Sequence, residues 1–291
     1  MTDTAKEIAS QPETWARALD VDGVALVAPG ERVLVLGCGT SWFMAQSLAE
    51  LREAAGFGET DAVCASEFVP RRRYDRVVAL TRSGTSTEVL EVLRQVPAGT
   101  HRVAVTAVTG EPVDGLVDER ILLDFADERS VVQTRFPTTL LAVARNAYGE
   151  DLSHLVADGR AALEADLPGD PAATRHLVFL GTGWTVGLAH EAALKVREAA
   201  QAWAESYPAM DYRHGPVAVA GEHSLVWAFG AVPDALDGTV RGAGATPVRN
   251  GLDPLAQLVL AQRFAVALAE HKGLDPDRPR LLTRSVILTQ P

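Results

Sequence analysis

Short apolar runs rich in valine and leucine alternate along this chain with stretches long enough to form helices. In the first half these runs fall at residues 32–36, 76–80, 102–106 and 120–123. Alternation of this kind predicts parallel βαβ units, with helices covering both faces of a sheet. The pattern therefore predicts an α/β fold.

A second series of strands is predicted after the helix-breaking sequence at residues 168–171. Its members are residues 176–180, 224–229 and 246–249, and a helix is predicted to follow at residues 254–271. A chain of 291 residues is about the right length for two domains of ordinary size. We therefore expect two halves that meet near the breaker.

The first strand and turn of one half resemble those of the other. Residues 33–39 (VLVLGCG) are echoed 144 positions later by residues 177–183 (LVFLGTG). An internal duplication would explain this, but so would the tendency of parallel sheets to begin with an apolar strand and a glycine turn. The sequence leaves both explanations open.

Composition and charge limit the kinds of partner that we expect for this chain. A hydrophobic fraction of 47% is typical of a globular protein, and the formal charge of −11 disfavours nucleic acid as a partner. A small phosphorylated ligand is not excluded, because helix N-termini and backbone N–H groups bind it locally. No apolar run approaches the roughly 20 residues of a membrane span. Since residues 1–7 also lack the pattern of a secretory signal, we expect a cytoplasmic protein with no membrane contact.

A hydroxyl-rich turn separates the strand ending at residue 80 from a helix predicted at residues 88–95. Five of the seven residues from 81 to 87 (TRSGTST) carry a hydroxyl group, and Gly84 allows close approach of the backbone. Such a turn places O–H and N–H donors at the positive end of a helix dipole. A helix N-cap needs only one such residue, so the pattern favours a phosphate-binding loop.

The turn at residues 37–41 (GCGTS) follows the first strand and adds Thr40 and Ser41 to the same sheet edge, where parallel sheets bind ligands. A dinucleotide fingerprint is not met, because Trp42 stands in the third glycine position, and no Walker A sequence occurs. We expect no cofactor and no metal. Cys38 and Cys64 lack the spacing of a metal site and are expected to be reduced thiols.

Three charged residues share one face of a helix predicted to begin near Gly187. Glu191, Lys195 and Glu198 stand at positions i, i+4 and i+7. By itself this spacing predicts a solvated face with a weak Glu191–Lys195 ion pair. His214, beside Gly-Pro, lies in a loop where its ring can exchange protons near neutral pH, although spacing does not select it among the seven histidines.

Six segments together resemble the sugar isomerase (SIS) family, and most closely the isomerase half of glucosamine-6-phosphate synthase. In family order they are residues 38–41 (CGTS), 65–68 (ASEF), 83–86 (SGTS), 191–198 (EAALKVRE), 204–207 (AESY) and 214–216 (HGP). The resemblance implies two flavodoxin-like doubly wound parallel-sheet domains in tandem, at residues 15–150 and 165–291. It also implies a homodimer whose active site is shared between subunits.

The resemblance further implies roles for particular residues. Glu198 matches the carboxylate that moves a proton between C1 and C2 of the sugar, and His214 matches the ring-opening residue supplied by the neighbouring subunit. Glu191 and Lys195 match a supporting charged pair. Proton transfer between adjacent carbons needs one base that reaches both and a nearby cation, in agreement with these roles. The substrate contacts implied are Thr40, Ser41, Thr81, Ser83, Thr85, Ser86, Gln133 and Arg284.

Three departures from the family limit which residue roles and activities can be inferred from the resemblance. Arg284 stands where the synthases carry a lysine that forms a Schiff base with the ketose. Because the arginine side chain stays protonated, it cannot be the nucleophile of that step. Thr81-Arg82 replaces a Ser-Gln pair, and Gln133 replaces a serine, so the sugar contacts are expected to differ. The start Met1-Thr2 carries no cysteine nucleophile, so no glutaminase activity is expected.

The expected function is that of an aldose–ketose isomerase or an amino-sugar-phosphate deaminase acting on a hexose or hexosamine 6-phosphate through an enediol-type intermediate. A fructosamine-phosphate deglycase and a non-catalytic sugar-phosphate-binding regulator remain alternatives. The joint presence of Glu191, Lys195, Glu198 and His214 favours an enzyme, because a sensor needs no base. The tail at residues 275–291 is either disordered or pinned to the body, with strand character at residues 284–288.

Overall fold

A computed structural model describes residues 1–288 and contains two wholly parallel sheets. The strands are β1 Val33–Gly37, β2 Thr60–Cys64, β3 Arg76–Leu80, β4 His101–Thr106, β5 Glu119–Leu122, β6 His176–Gly181, β7 Ala204–Pro208, β8 Ser224–Ala228 and β9 Thr246–Val248. The first sheet has the order β2-β1-β3-β4-β5, which is the flavodoxin-like order, and the second has the order β7-β6-β8-β9. The predicted α/β class with parallel sheets is confirmed.

Helices connect the strands and cover both faces of each sheet. They are α1 Asp3–Ala9, α2 Gln11–Ala18, α3 Val24–Val27, α4 Thr40–Ala54, α5 Thr87–Gln95, α6 Arg135–Ala147, α7 Leu155–Glu164, α8 Thr185–Ala200, α9 Ala235–Gly242 and α10 Pro254–His271. The predicted helix at residues 254–271 is confirmed. Among residues 1–288, no helix has both the length and the apolar character that crossing a bilayer requires.

The sequence prediction missed two strands, β2 and β7. Both lie at a sheet edge and are only partly buried, with polar residues such as Asp61 and Glu205 inside them. An edge strand faces solvent and needs no continuous apolar run, so the pattern that revealed the central strands is absent from these two. The division into units at residues 15–150 and 165–291 stays a prediction, and residues 289–291 lie outside the described part of the chain.

Strand β1 illustrates how the sheets are buried on both faces. Val33 and Val35 join one apolar cluster and Leu34 and Leu36 join another, as the two-residue period of a strand requires. The first cluster continues through α4, α8 and α10 to β6 of the second sheet, where Phe179 belongs to it. The two sheets therefore share one core, and helices of both halves lie between them.

Helices α4 and α8 cross closely at Gly187. A Cβ atom there would lie 2.2 Å from the Ser47 Oγ and 2.3 Å from the Phe43 carbonyl oxygen. Glycine allows this approach because it has no side chain. The crossing brings Thr40, at the start of α4, to within 3.2 Å of the Glu191 carboxylate on α8. Packing between the halves thus assembles the site described below.

The C-terminal tail is pinned to the body, but it is not a strand. The Asp277 carboxylate accepts hydrogen bonds of 2.7 Å from the N–H groups of Asp3 and Thr4 at the start of α1. Further along, the Val286 carbonyl accepts a hydrogen bond of 3.3 Å from the N–H of Thr87. The strand predicted at residues 284–288 is wrong, because side-chain and single backbone contacts, rather than a ladder, hold this segment.

Candidate functional site

A cleft of about 170 Å³ opens at the carboxyl edge of the first sheet, beside β1 and β3. The strand order reverses between these strands, which is where doubly wound sheets bind ligands. The lining residues are Cys38, Gly39, Thr40, Ser86, Glu88, Val131, Gln133, Glu198 and residues 282–286. Five of the residues predicted for the site therefore meet here, namely Thr40, Ser86, Gln133, Glu198 and Arg284.

The hydroxyl-rich loop borders this cleft after β3. The Thr81 Oγ1 accepts a hydrogen bond of 3.2 Å from the N–H of Gly84, and the Ser83 Oγ accepts one of 3.3 Å from the N–H of Thr85. Gly84 has a left-handed φ of 66°, which favours glycine. Ser86, the N-cap of α5, makes no side-chain capping contact. Thr81, Ser83 and Thr85 thus shape the loop, while the Ser86 hydroxyl faces the cleft.

Lys195 lies at the centre of a buried polar network beneath the cleft. Its Nζ is 3.1 Å from the Glu191 Oε1, 2.7 Å from the Glu198 Oε2 and 3.1 Å from the Thr40 Oγ1. The Thr40 hydroxyl in turn donates to the Glu191 carboxylate at 3.2 Å. One ammonium group therefore holds two carboxylates and a hydroxyl from the two halves of the chain.

The solvated face predicted from helical spacing is wrong. The side chains of Glu191 and Lys195 are 0% and 1% exposed, because α4 packs over this part of α8. Lys195, predicted as the cation near the base, is consequently absent from the residues that line the cleft. Its place is under Glu198, whose side chain is 19% exposed and reaches the cleft.

Burial and charge set the protonation of this network. Burial raises the pKa of Glu191, and the ammonium group of Lys195 only partly offsets this. Burial by itself would lower the pKa of Lys195, but the carboxylates of Glu191 and Glu198 outweigh it, so the pKa is raised above its usual value. Lys195 therefore stays a cation at neutral pH.

Cys38 also lines the cleft but is not a nucleophile. Burial, and to a smaller extent the nearby carboxylate of Glu88, raise the pKa of its thiol to about 12. Since the thiolate is the reactive form, Cys38 is inert near neutral pH. Both Cys38 and Cys64 are unpaired, so neither takes part in a disulfide.

Seven of the residues predicted for the site do not line the cleft, namely Thr81, Ser83 and Thr85 in the loop beside it, Glu191 and Lys195 in the buried network, and Ser41 and His214. Ser41 is buried in the first turn of α4, against Gly37, and does not line the cleft. His214 lies in a short 3₁₀ turn, Asp211–His214, where it is exposed and also absent from the lining. Within a single chain, therefore, the cleft holds the Glu198 carboxylate without the histidine.

The sequence analysis missed the residues that hold the tail beside the cleft. The Asp127 carboxylate pairs with the Arg284 guanidinium, and the Thr85 hydroxyl lies 3.1 Å from the Ser285 hydroxyl. The buried carboxylate of Glu128 faces the guanidinium of Arg82. No periodicity or motif marked Asp127, Glu128 or Ser285, because their partners are more than 40 positions away along the chain.

Comparison with known proteins places these features in a family context. No protein-family model matches the chain. The curated glutamine–fructose-6-phosphate aminotransferase (isomerizing) of Aeropyrum pernix is 28% identical over 348 aligned positions, which cover 97% of this chain and 56% of that protein. The enzyme of the same name from Thermotoga maritima is 25% identical over 90% of this chain and 52% of its own length. The chain spans about half the length of these relatives.

Solved structures show the same fold. Glucosamine-6-phosphate deaminase of Thermotoga maritima matches with a TM-score of 0.83 at 24% identity, covering 99% of this chain and 100% of that one. The C-terminal domain of glucosamine-fructose-6-phosphate aminotransferase from Francisella tularensis matches with a TM-score of 0.82 at 21% identity, covering 96% and 98%. The resemblance to the isomerase part of the synthases, predicted from the motifs, is confirmed.

Proposed function

We propose that this chain is an enzyme that moves a proton between adjacent carbons of an open-chain hexose or hexosamine 6-phosphate. It would act as an aldose–ketose isomerase or as an amino-sugar-phosphate deaminase. The observation that carries this proposal is that the Glu198 carboxylate and the Ser86 hydroxyl line one cleft. Proton transfer on a sugar phosphate needs a base and a site that binds the phosphate group.

The proposed mechanism assigns separate tasks to the two halves. Ser86 and the N-terminal end of α5 bind the phosphate, which fixes C1 and C2 of the sugar beside Glu198. Glu198 takes a proton from one carbon and returns it to the neighbouring carbon. Lys195, whose Nζ lies 2.7 Å from the Glu198 Oε2, fixes the orientation of that carboxylate. Lys195 is therefore a positioning residue.

Arg284 bears on the choice of reaction. The guanidinium lies in the tail that lines the cleft, and it cannot form a Schiff base because it stays protonated. The proposed chemistry is thus proton transfer; if the substrate carries an amino group at C2, the transfer leaves an imine at C2, which water hydrolyses to the ketone and ammonia. The relatives' names include both a deaminase and an aminotransferase, which agrees with either kind of substrate.

Solvent exchange is the direct test of this function. Wild-type protein in D₂O, incubated with a panel of hexose and hexosamine 6-phosphates, is expected to place deuterium at C1 or C2 of at least one sugar. Ammonia release from the same reaction would identify a deaminase, and its absence would identify an isomerase. Binding without deuterium incorporation for the whole panel would instead support a non-catalytic regulator.

We further propose a homodimer in which His214 enters the cleft of the partner and assists ring opening. Its exposure on one chain supports this, and Met210 and Val219, four and five positions away in the sequence, are also exposed, at 41% and 66%. The complete site would then contain groups from both subunits.

Mixing two inactive variants tests the shared site. His214→Ala and Glu198→Gln proteins, each nearly inactive alone, are expected to regain activity after they are unfolded and refolded together. Random association produces mixed dimers in which one of two sites is intact, so about a quarter of wild-type activity should return. If mixed dimers verified by differential tagging stay inactive, His214 does not act across the interface.

A further inference from the structure

Arg82 lies within the hydroxyl-rich loop, but its side chain points away from solvent. The residue is 2% exposed, although it stands between Thr81 and Ser83. Its Nη1 donates a hydrogen bond of 3.1 Å to the Ser130 carbonyl, and its Nη2 donates one of 2.9 Å to the Arg284 carbonyl. One buried guanidinium thus joins the loop, the segment before α6 and the C-terminal tail.

Glu128 balances the charge of this buried group. Its Oε2 lies 3.7 Å from the Arg82 Nη1, and its Oε1 accepts hydrogen bonds from the Thr134 hydroxyl at 2.9 Å and the Arg135 N–H at 2.8 Å. Burial lowers the pKa of Arg82, but guanidinium groups remain charged in proteins. The carboxylate is held in place, so the guanidinium is oriented toward the two carbonyl groups.

The other contacts of residues 284–288 come from residues that are less buried than Arg82. The ion pair of Arg284 with Asp127 is partly exposed, and the Leu288 N–H donates to the Thr87 hydroxyl at an exposed site, at 2.9 Å. Exposed contacts of this kind contribute little to stability. Val286 and Ile287 are themselves largely exposed, so apolar burial contributes little there as well. Arg82, which is 2% exposed, is thus the most deeply buried residue that bonds to this part of the tail.

We propose that Arg82 is a positioning residue that holds residues 282–286 as a fixed wall of the cleft, through the Arg284 carbonyl. The wall is then in place before substrate binds, and the ordering of the tail does not have to accompany binding. The contact involves the main chain of Arg284 and is independent of its side chain. This proposal concerns the architecture of the cleft and does not depend on which reaction occurs there.

Hydrogen–deuterium exchange in protein without ligand tests the anchor. Arg82→Met removes the donors while keeping a side chain of similar length, and it is expected to speed amide exchange in residues 282–288 about tenfold or more. Arg94→Met, on the exposed side of α5, is the matched control and should leave this exchange unchanged. Arg284→Ala keeps the carbonyl and should change the exchange much less than Arg82→Met.

Ligand binding gives a second readout that a general loss of stability would not produce. If the wall is formed in only about a tenth of Arg82→Met molecules, the affinity for fructose 6-phosphate or inorganic phosphate falls about tenfold. Where turnover is measurable, KM should rise while kcat changes little, because Glu198 is held by α8. A folded Arg82→Met protein with wild-type exchange in residues 282–288 would overturn the proposal.

Arg82→Lys covers the case in which the methionine variant does not fold. Lysine keeps a charge opposite Glu128 but cannot donate to both carbonyls in the fork geometry of arginine. An intermediate rate of exchange in residues 282–288 is expected. Wild-type protection in Arg82→Lys would show that the fork is not required and would likewise contradict the proposal.

Discussion

Replacing Glu198 with glutamine is expected to lower turnover of a sugar phosphate by about 10³-fold or more, because the amide cannot accept the proton that moves between the carbons. The amide oxygen can still accept a hydrogen bond from Lys195, so the fold should be kept. Phosphate binding depends on the loop after β3, and the dissociation constant should change by less than about threefold. Solvent deuterium exchange and calorimetric titration measure the two quantities.

Glu91→Gln is the matched control for this variant, since Glu91 is an exposed carboxylate on α5 and lies outside the cleft. Its turnover and affinity should equal those of the wild type. Equal turnover in Glu198→Gln would place the base elsewhere. Loss of binding together with turnover would mean that Glu198 contributes to the architecture of the cleft.

Replacing Lys195 with methionine is expected to destabilise the protein by about 3–5 kcal/mol, because it leaves the buried carboxylates without their cation. Glu191 is 0% exposed and Glu198 is only 19% exposed, so solvent compensates poorly for the loss. The Thr40 hydroxyl also loses the ammonium donor at 3.1 Å. Urea unfolding of the variant and of the wild type measures the difference.

The loss of stability in Lys195→Met should depend on pH. Without the ammonium group, the pKa of Glu191 in the folded state rises further above its value in the unfolded chain. A group with a raised folded pKa binds its proton more tightly when folded, so stability falls as pH rises from the unfolded toward the folded pKa. The variant should therefore be closest to wild type near pH 5 and furthest from it at pH 8.

Lys6→Met provides the comparison for this effect, since Lys6 forms an exposed ion pair of 2.9 Å with Asp3. Its removal should cost less than about 1 kcal/mol, with little dependence on pH. If Lys195→Met were no more destabilised than Lys6→Met at pH 8, the carboxylates below the cleft would not depend on the ammonium group.

Local patterns predicted much of the fold because their causes are local. Central parallel strands are buried on both faces and appear as apolar runs, and β3 was predicted at the residues where it lies. The helix α10 begins at Pro254 after an Asp253 side chain that caps it, so both signals are adjacent in sequence. Strands β2 and β7 were missed, because they are only partly buried and their polar residues interrupt any apolar run.

The α/β class, the hydroxyl-rich loop after β3 and the alignment of Glu191, Lys195 and Glu198 on one helix face all follow from local sequence, since each depends on neighbours within a few positions. Which of these groups are buried follows instead from long-range packing. Thr40 and Lys195 stand 155 positions apart, yet the contact of α4 with α8 joins them. The same helical spacing occurs on solvated surfaces and in buried networks, although the free energy of a charged side chain differs greatly between these environments. Which one applies depends on what packs over the helix, and that is set by the whole chain.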